Sequence, residues 1–200
     1  MTDGIIKYNF DFTQSAPLPK ARWETIEKVR QRLYALKLIG EKDGIGYGNI
    51  SQRAGKKEFV ITGTQTGHLC KLNQNHYSLI EDFDDRRFFL KSSAAAKPSS
   101  EALTHATIYT LSDEIKAVIH IHSKKLWDFM LEKSYLKTEK VPYGSIEMIE
   151  EVKRIYAGTN PLKEPLFVMH GHEEGIIAFG RTLEEAEQKL FEVVGAYLCD

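Results

Sequence analysis

The sequence has little of several features that would assign it to a specialised class of protein. Only two of its 200 residues are cysteines, Cys70 and Cys199, and they lie far apart. They do not make a disulfide framework, which fits a reducing compartment. No apolar run approaches membrane-spanning length, and the segment MTDGIIKYNFDF lacks the basic and apolar regions of a signal peptide. We therefore expect a cytoplasmic protein with no membrane partner.

Net charge is also nearly absent. The formal charge is −1 at pH 7, so the chain has no overall attraction for nucleic acid or anionic membranes. An anionic ligand would have to be held by a local site. Long linkers, low-complexity tracts and internal repeats are missing too. With 42% hydrophobic and 28% charged residues, the chain suits one globular domain over residues 1–200.

What the sequence does contain is a mixture of helical and strand-like patterns. Gly40 is a natural stop for the first helix, and Ser145 and Thr182 are natural N-caps for the last two. Helices and strands mix without regular alternation, which predicts an α/β fold with a mostly antiparallel sheet covered by helices. The helices are expected at 20–40, 100–112, 123–133, after Ser145 and after Thr182, and the strands at 48–53, 58–63, 83–91, 116–122, 166–172 and 175–180.

Four of the seven histidines form two H-x-H pairs, His120-Ile-His122 and His170-Gly-His172. Each pair lies in a run typical of a β-strand, where residues two apart face the same way. Each pair would therefore aim two imidazoles at one point, as in sites that bind a divalent metal. Chance gives about 0.24 such pairs at this histidine content. Two pairs favour a metal site over histidines that are packed for structural reasons.

Six motifs occur in order along most of the chain. They are GNIS (48–51), ITGTQTG (61–67), PSSEALTH (98–105), KAVIHIHS (116–123), VPYGSIE (141–147) and GHEEGIIAFGRTLEEA (171–186). As a set they resemble the class II aldolase/adducin domain family, which includes fuculose- and rhamnulose-phosphate aldolases, an epimerase and a dehydratase. The resemblance implies a three-layer α/β/α sandwich around a central, largely antiparallel sheet.

The resemblance also implies a metal site. His120 and His122 match the first two ligands, and the third is a histidine just before the glycine of the last hairpin. The family commonly has N-H-G there, whereas this chain reads His170-Gly-His172-Glu-Glu-Gly175. We favour His172, because the extra residues then lie at the loop tip, where insertions are tolerated; His170 is the alternative. Zinc is the expected ion, with manganese, cobalt or iron as substitutes.

Glu101 matches the acid/base residue of the family, since a carboxylate beside a divalent cation can leave the metal and accept a proton. Taken alone, it could instead be a glutamate stabilised by the first turn of its own helix. The family's catalytic tyrosine has no clear match, and Tyr143 and Tyr197 are the candidates. Five residues match phosphate-binding positions, although each also fits turn or cap chemistry. They are Asn49, Thr66, Gly67, Ser99 and Ser100.

The function implied by the resemblance is that of a metal-dependent aldolase. Such a carbon–carbon lyase cleaves a small ketose or ketose phosphate through a metal-stabilised enediolate. An epimerase or dehydratase of a sugar phosphate is the alternative enzyme on the same site. A non-catalytic, adducin-like interaction domain is the alternative outside enzymes, but adducin-type members lose the metal histidines that this chain keeps. The implied assembly is a homo-oligomer, a tetramer, and the implied partner is a small sugar or sugar phosphate.

Overall fold

The computed structural model describes residues 5–200. The first four residues of the predicted 1–200 domain, which also begin the segment considered for a signal peptide, lie outside the described residues. Within the described part, the helices are α1 (Glu24–Ala35), α2 (Ala102–Leu111), α3 (Lys124–Glu132), α4 (Ile146–Ile155) and α5 (Leu183–Leu198). The strands are β1 (Asn9–Gln14), β2 (Gly40–Lys42), β3 (Ile45–Tyr47), β4 (Asn49–Arg53), β5 (Phe59–Thr62), β6 (Tyr77–Asp84), β7 (Phe89–Ala94), β8 (Ala117–His122), β9 (Leu166–Val168) and β10 (Gly175–Gly180).

Eight of these strands form one sheet in the order β1-β7-β6-β5-β4-β8-β10-β9, and β2 pairs with β3 in a separate ribbon. Every neighbouring pair in the large sheet is antiparallel except β1 with β7. Residues of α1, α3 and α5 share one apolar core, and residues of α2 and α4 share another. Because the two cores lie on opposite faces of the sheet, the predicted three-layer α/β/α architecture is confirmed.

The side-chain alternation along β8 fixes which layer holds the paired histidines. Ala117, Ile119 and Ile121 belong to the core beneath α1, α3 and α5. Val118 belongs to the core beneath α2 and α4. Since side chains two apart in a strand share a face, His120 and His122 project from the same face as Val118, toward the layer that contains α2.

The first helix is shorter than the predicted 20–40. A 3-10 turn precedes it, and it ends at Ala35, five residues before Gly40. Lys37 takes the left-handed conformation that ends the helix, with φ of 58°. The N–H groups of Lys37 and Leu38 donate to the carbonyls of Tyr34 and Leu33, both at 2.9 Å. This is a Schellman end with lysine where glycine is usual, and it frees Gly40 to begin β2.

The predicted strand at 83–91 is wrong as a single element. Two strands, β6 and β7, meet there in a turn over residues 85–88. The carboxylate of Asp84 accepts hydrogen bonds from the N–H groups of Arg86 and Arg87, each at 3.1 Å. Asp commonly begins turns in this way because its side chain bonds the backbone two residues on. The aspartates and arginines at the centre of this segment therefore mark a hairpin rather than a strand.

The helix end at Lys37 gives a stability prediction. A non-glycine residue in the left-handed region costs roughly 1 kcal/mol, which glycine avoids. Lys37→Gly should therefore raise the free energy of unfolding by about 0.5–1 kcal/mol, after the greater freedom of glycine in the unfolded chain is subtracted. Lys37→Ala, the matched control, retains a Cβ and should change it little. Urea unfolding of the three proteins measures this, and a glycine variant less stable than wild type would contradict it.

Candidate metal centre

Neighbouring strands on both sides of β8 contribute to the surroundings of its histidines. On one side β4 places Asn49 opposite His120, and on the other β10 places Gly175 opposite His122. A Cβ atom on Gly175 would lie only 2.7 Å from Cδ2 of His172 and 3.3 Å from Nε2 of His120. Glycine is therefore required at 175, because two imidazoles occupy the space above it.

The second H-x-H pair does not lie in a strand, so that prediction is wrong. The strand β9 ends at Val168, and the chain then turns. The N–H of His172 donates to the carbonyl of Met169 at 3.0 Å, and the N–H of Gly175 donates to the carbonyl of His172 at 2.9 Å. Because this segment is a turn, strand alternation does not apply, and His170 and His172 have different surroundings.

His170 lies outside the cluster of histidines. Its backbone N–H donates to Oγ1 of Thr138 at 3.1 Å, and its ring is 6.3 Å from that of Trp127. The loop tip beyond His172 is held instead by Glu174. The carboxylate of Glu174 pairs with Lys42 at 2.7 Å, and its carbonyl accepts from the N–H of Ser123 at 2.9 Å. The two extra glutamates thus lie at the tip, and one of them anchors the loop that presents His172.

His120, His122 and His172 converge on one point. One ring nitrogen from each lies within 4.8 Å of the other two, and Nε2 of His122 is 3.0 Å from Nε2 of His172. His120 is fully buried, yet its Nε2 makes no hydrogen bond to any described residue. A buried nitrogen without a partner costs about 1–3 kcal/mol. A divalent cation would satisfy all three nitrogens, so this donor set fits a three-histidine metal site.

Glu101 lies directly against this cluster. Its Oε2 contacts Nδ1 of His120 and accepts a hydrogen bond from the Asn49 amide at 3.1 Å. Burial alone would raise the pKa of Glu101, but the neighbouring His120, His172 and Asn49 outweigh it and hold that pKa well below the usual range. The carboxylate is therefore ionised. It fixes the ring of His120, as carboxylates behind metal-binding histidines commonly do.

A second buried polar chain lies nearby on α2. Nδ1 of His105 is 2.7 Å from Oγ of Ser51, which is 2.8 Å from the hydroxyl of Tyr109. Burial lowers the pKa of His105 to about 3. His105 is therefore neutral at physiological pH, and its contacts link α2 to β4 behind the cleft.

The residues favoured for the metal, acid/base and anion roles line one cleft, whereas the alternatives His170 and Tyr197 do not. Thr66 and Gly67 are buried, and their backbone N–H groups form no hydrogen bond within residues 5–200. The hydroxyl of Thr66 donates inward to the carbonyl of Gly63 at 2.9 Å, and Ser99 Oγ accepts from the N–H of Glu101 at 3.3 Å. The backbone N–H groups of Thr66 and Gly67, rather than the threonine hydroxyl, are thus unbonded donors on residues that line the cleft.

The predicted anion-binding residues do not all have the expected surroundings. The Asn49 amide is engaged by Glu101 and lies 3.2 Å from Nδ1 of His120, so it belongs to the histidine end of the cleft. Ser99 and Ser100 border the cleft at the start of α2. Thr66 and Gly67 line the same cleft.

Aromatic residues wall the cleft. Tyr143 lies against His172, with ring centroids 4.6 Å apart. Tyr197, on α5, instead packs against Phe129 of α3 and does not line the cleft. Tyr47 stacks on His122, with centroids 5.1 Å apart and planes 22° apart. Sequence reasoning missed Tyr47. Its only signal was its position two residues before Asn49 in a glycine-rich segment.

The fold and the site together define a class: an α/β/α protein with a candidate metal centre of three histidines at one face of a largely antiparallel sheet. The model of the Class II Aldolase and Adducin N-terminal domain matches residues 41–197. The chain belongs to this family, which confirms the resemblance of the six motifs. Among the described residues, no helix combines the length and apolar character needed to span a membrane.

Solved structures agree with the fold. An L-fuculose 1-phosphate aldolase is 18% identical, with a TM-score of 0.69 over 90% of this chain and 84% of that one. A sugar-phosphate aldolase from Thermotoga maritima is 18% identical, with a TM-score of 0.68 over 90% and 93%. YgbL from Klebsiella pneumoniae, described as an aldolase, epimerase or decarboxylase, is 17% identical, with a TM-score of 0.68 over 90% and 88%. At these identities the likeness shows the fold alone.

The geometry predicts which histidine variants lose metal. Protein purified without chelator should contain about one divalent ion per chain. His172→Ala should lose most of it, because it removes one of three converging nitrogens. His170→Ala, the matched control two residues away, should retain it. Elemental analysis measures occupancy, and a His170→Ala protein that loses its metal while His172→Ala keeps it would reverse the assignment.

The metal content should also depend on pH. Only a neutral imidazole binds a cation, and burial holds the pKa of His122 well below its ordinary value. Protons therefore compete with the metal ion for the ring nitrogen of His122 only below the ordinary histidine pKa of about 6.5. We expect full occupancy at pH 7 and loss below about pH 6. Equilibrium dialysis against buffered zinc measures this, and half-loss at pH 7 or above would contradict it.

Proposed function

We propose that this protein is a metal-dependent class II aldolase, a carbon–carbon lyase that acts on a small ketose or ketose phosphate. The observation that supports it is the composition of one cleft. Three converging histidines and an ionised, buried Glu101 line it, together with Thr66 and Gly67, whose backbone N–H groups form no hydrogen bond within residues 5–200. A substrate with oxygens at one end and an anionic group at the other would match both.

In this proposal the anion-binding residues and the histidine cluster have different roles. The N–H groups of Thr66 and Gly67, with Ser99 and Ser100 at the start of α2, hold the anionic group. This fixes the substrate so that its reacting carbon lies at the histidine end. Tyr47 and Tyr143 wall that end and limit the access of water.

Glu101 moves the proton in the proposed reaction. Glu101 is buried and ionised, and its Oε1 makes no hydrogen bond to any described residue. In the direction of C–C bond formation it would remove the α-proton of the donor product. In cleavage the same carboxyl group would return to that carbon the proton released by the substrate hydroxyl that becomes the aldehyde oxygen. A divalent ion held by His120, His122 and His172, zinc in our proposal, would act as a Lewis acid on the substrate oxygens.

The wider assignment rests on the family resemblance and on the composition of the sequence rather than on the cleft. We propose that residues 1–200 act as one domain, in the cytoplasm, as a homo-oligomer and most simply a tetramer. A non-catalytic, adducin-like role is disfavoured because His120, His122 and His172 are all present. An epimerase or dehydratase would use the same groups, and the products formed from a panel of ketose phosphates distinguish these reactions. Release of an aldehyde supports the aldolase, whereas a rearranged or dehydrated sugar phosphate supports the alternatives.

The role of Glu101 can be tested by removing only its charge. Glu101→Gln is isosteric and can still accept a hydrogen bond from His120, but it cannot hold a proton. At saturating metal we expect kcat to fall 10²–10⁴-fold, as is typical for loss of a general base, with little change in KM. Exchange of the α-proton of the donor product with solvent deuterium should stop as well. Steady-state kinetics and proton NMR measure the two effects.

Glu101→Asp is the matched control, because it keeps an ionisable carboxylate on a shorter side chain. It should retain metal and part of the proton exchange. If Glu101→Gln binds metal and still exchanges that proton at the wild-type rate, Glu101 does not move the proton. Metal content must be measured in each variant, because loss of a carboxylate behind a histidine ligand can itself weaken metal affinity about 10–100-fold.

A further inference from the structure

A buried arginine lies behind the loop that carries Thr66 and Gly67. Arg30 extends from α1 and is only 1% exposed. Its Nη2 donates to the backbone carbonyls of Thr66 at 3.0 Å, Gly67 at 3.4 Å and Leu69 at 2.5 Å. One guanidinium group therefore contacts three carbonyls of a single loop. Arg30 does not itself line the cleft.

The charge of Arg30 has no direct ion pair. Within residues 5–200, no carboxylate oxygen lies within 4.0 Å of its nitrogens, and its Nη1 has no hydrogen-bond partner. Glu27 is the main opposite charge near it, but the oxygens of Glu27 already accept from Leu72 N–H at 2.8 Å and the Tyr77 hydroxyl at 2.9 Å. Burial lowers the pKa of Arg30, yet a guanidinium group stays protonated in proteins. Glu27 therefore partly compensates the buried charge of Arg30 through space rather than by a direct ion pair.

The peptide geometry of the loop connects Arg30 to the cleft. The carbonyl of Thr66 and the N–H of Gly67 belong to one planar trans peptide, so they point in opposite directions. When Arg30 holds that carbonyl on its own side, the N–H of Gly67 points away from Arg30. Gly67 lines the cleft, and its N–H has no acceptor in the described part of the chain. A Cβ atom on Gly67 would lie 2.1 Å from the carbonyl oxygen of Gly40, so the loop is also fixed from the side of β2.

We propose that Arg30 is a positioning residue for the anionic group of the substrate. It holds the carbonyls of Thr66, Gly67 and Leu69 so that the Gly67 N–H faces the cleft, and it places a positive charge behind that donor. The bound anion would add to the compensation that Glu27 provides for the buried charge. This inference rests on the proposed function in taking a phosphate group as the anion, but phosphate binding can be measured without any turnover.

The test compares two arginines on the same helix. Arg30→Met keeps the length and apolar stem but removes the charge and all donors. Arg32→Met, the matched control, makes the same change two residues on, where Arg32 makes a two-point ion pair with Glu187 at 2.8 and 2.6 Å. The probe is inorganic phosphate, titrated by calorimetry into full-length, metal-loaded protein. Metal content and thermal unfolding are measured for each variant.

We expect Arg30→Met to bind phosphate about 10-fold more weakly, since misalignment of a charge-assisted donor costs on the order of 1–2 kcal/mol. Metal content should stay at the wild-type level. KM for a ketose phosphate should rise by a similar factor while kcat changes less than about 2-fold. Arg32→Met should leave phosphate affinity within about 2-fold of wild type, even if its stability falls. A general loss of stability would affect both variants, whereas loss of positioning affects only Arg30.

If the Arg30→Met protein does not fold, Arg30→Lys is used in its place in the same phosphate titration. Lysine keeps the charge, but its single ammonium cannot reproduce the planar fork of arginine. We expect its phosphate affinity to fall also, so wild-type affinity in Arg30→Lys would overturn the proposal. Unchanged affinity in a folded Arg30→Met, or wild-type protein that binds no phosphate, would overturn it too. If no ketose phosphate is cleaved but the Arg30 variants bind phosphate more weakly, the inference about Arg30 holds and the proposed aldolase activity fails.

Discussion

The alternation of side chains along β8 is the constraint on which the site depends. Three apolar residues of this strand are buried beneath α1, α3 and α5, so a shift of one residue would turn His120 and His122 into that core and the apolar set toward α2 and α4. The register with β4 and β10 then decides the neighbours of each histidine, Asn49 on one side and Gly175 on the other. Sheet hydrogen bonds and core packing thus aim the imidazoles of His120 and His122, whereas the turn anchored by Glu174 presents His172.

The cleft contains buried polar atoms that have no protein partner. Nε2 of His120, Oε1 of Glu101 and Oδ1 of Asn49 are buried and unbonded within the described chain. Each such group lowers stability unless a ligand satisfies it. The large apolar cores on both faces of the sheet offset this cost. Other side chains, such as Arg30, also have a buried unbonded atom, but these three belong to residues that line one cleft, where a ligand can reach them.

Periodicity in the sequence was enough to predict the five helices, the strand with His120 and His122, and a mostly antiparallel sheet covered by helices. The three-layer architecture was predicted from the family resemblance. Periodicity did not predict the features that are determined by local backbone geometry. Lys37 ends α1 in a conformation that usually requires glycine, and β2 and β3 are only three residues each, too short for a pattern. The turn after Val168 breaks the alternation expected for His170 and His172. Arg30 could not be found at all, because its carbonyl partners lie 36 to 39 residues further along the chain.

The central claim is that His120, His122 and His172 form one metal site in front of Glu101. Anomalous diffraction at the zinc edge, from crystals of full-length protein grown with zinc, tests it most directly. The account predicts a single strong peak about 2.0–2.1 Å from one ring nitrogen of each of these three histidines, with His170 remaining near Trp127. A peak bound by His170 in place of His172, or no peak within reach of His120 and His122, would contradict it.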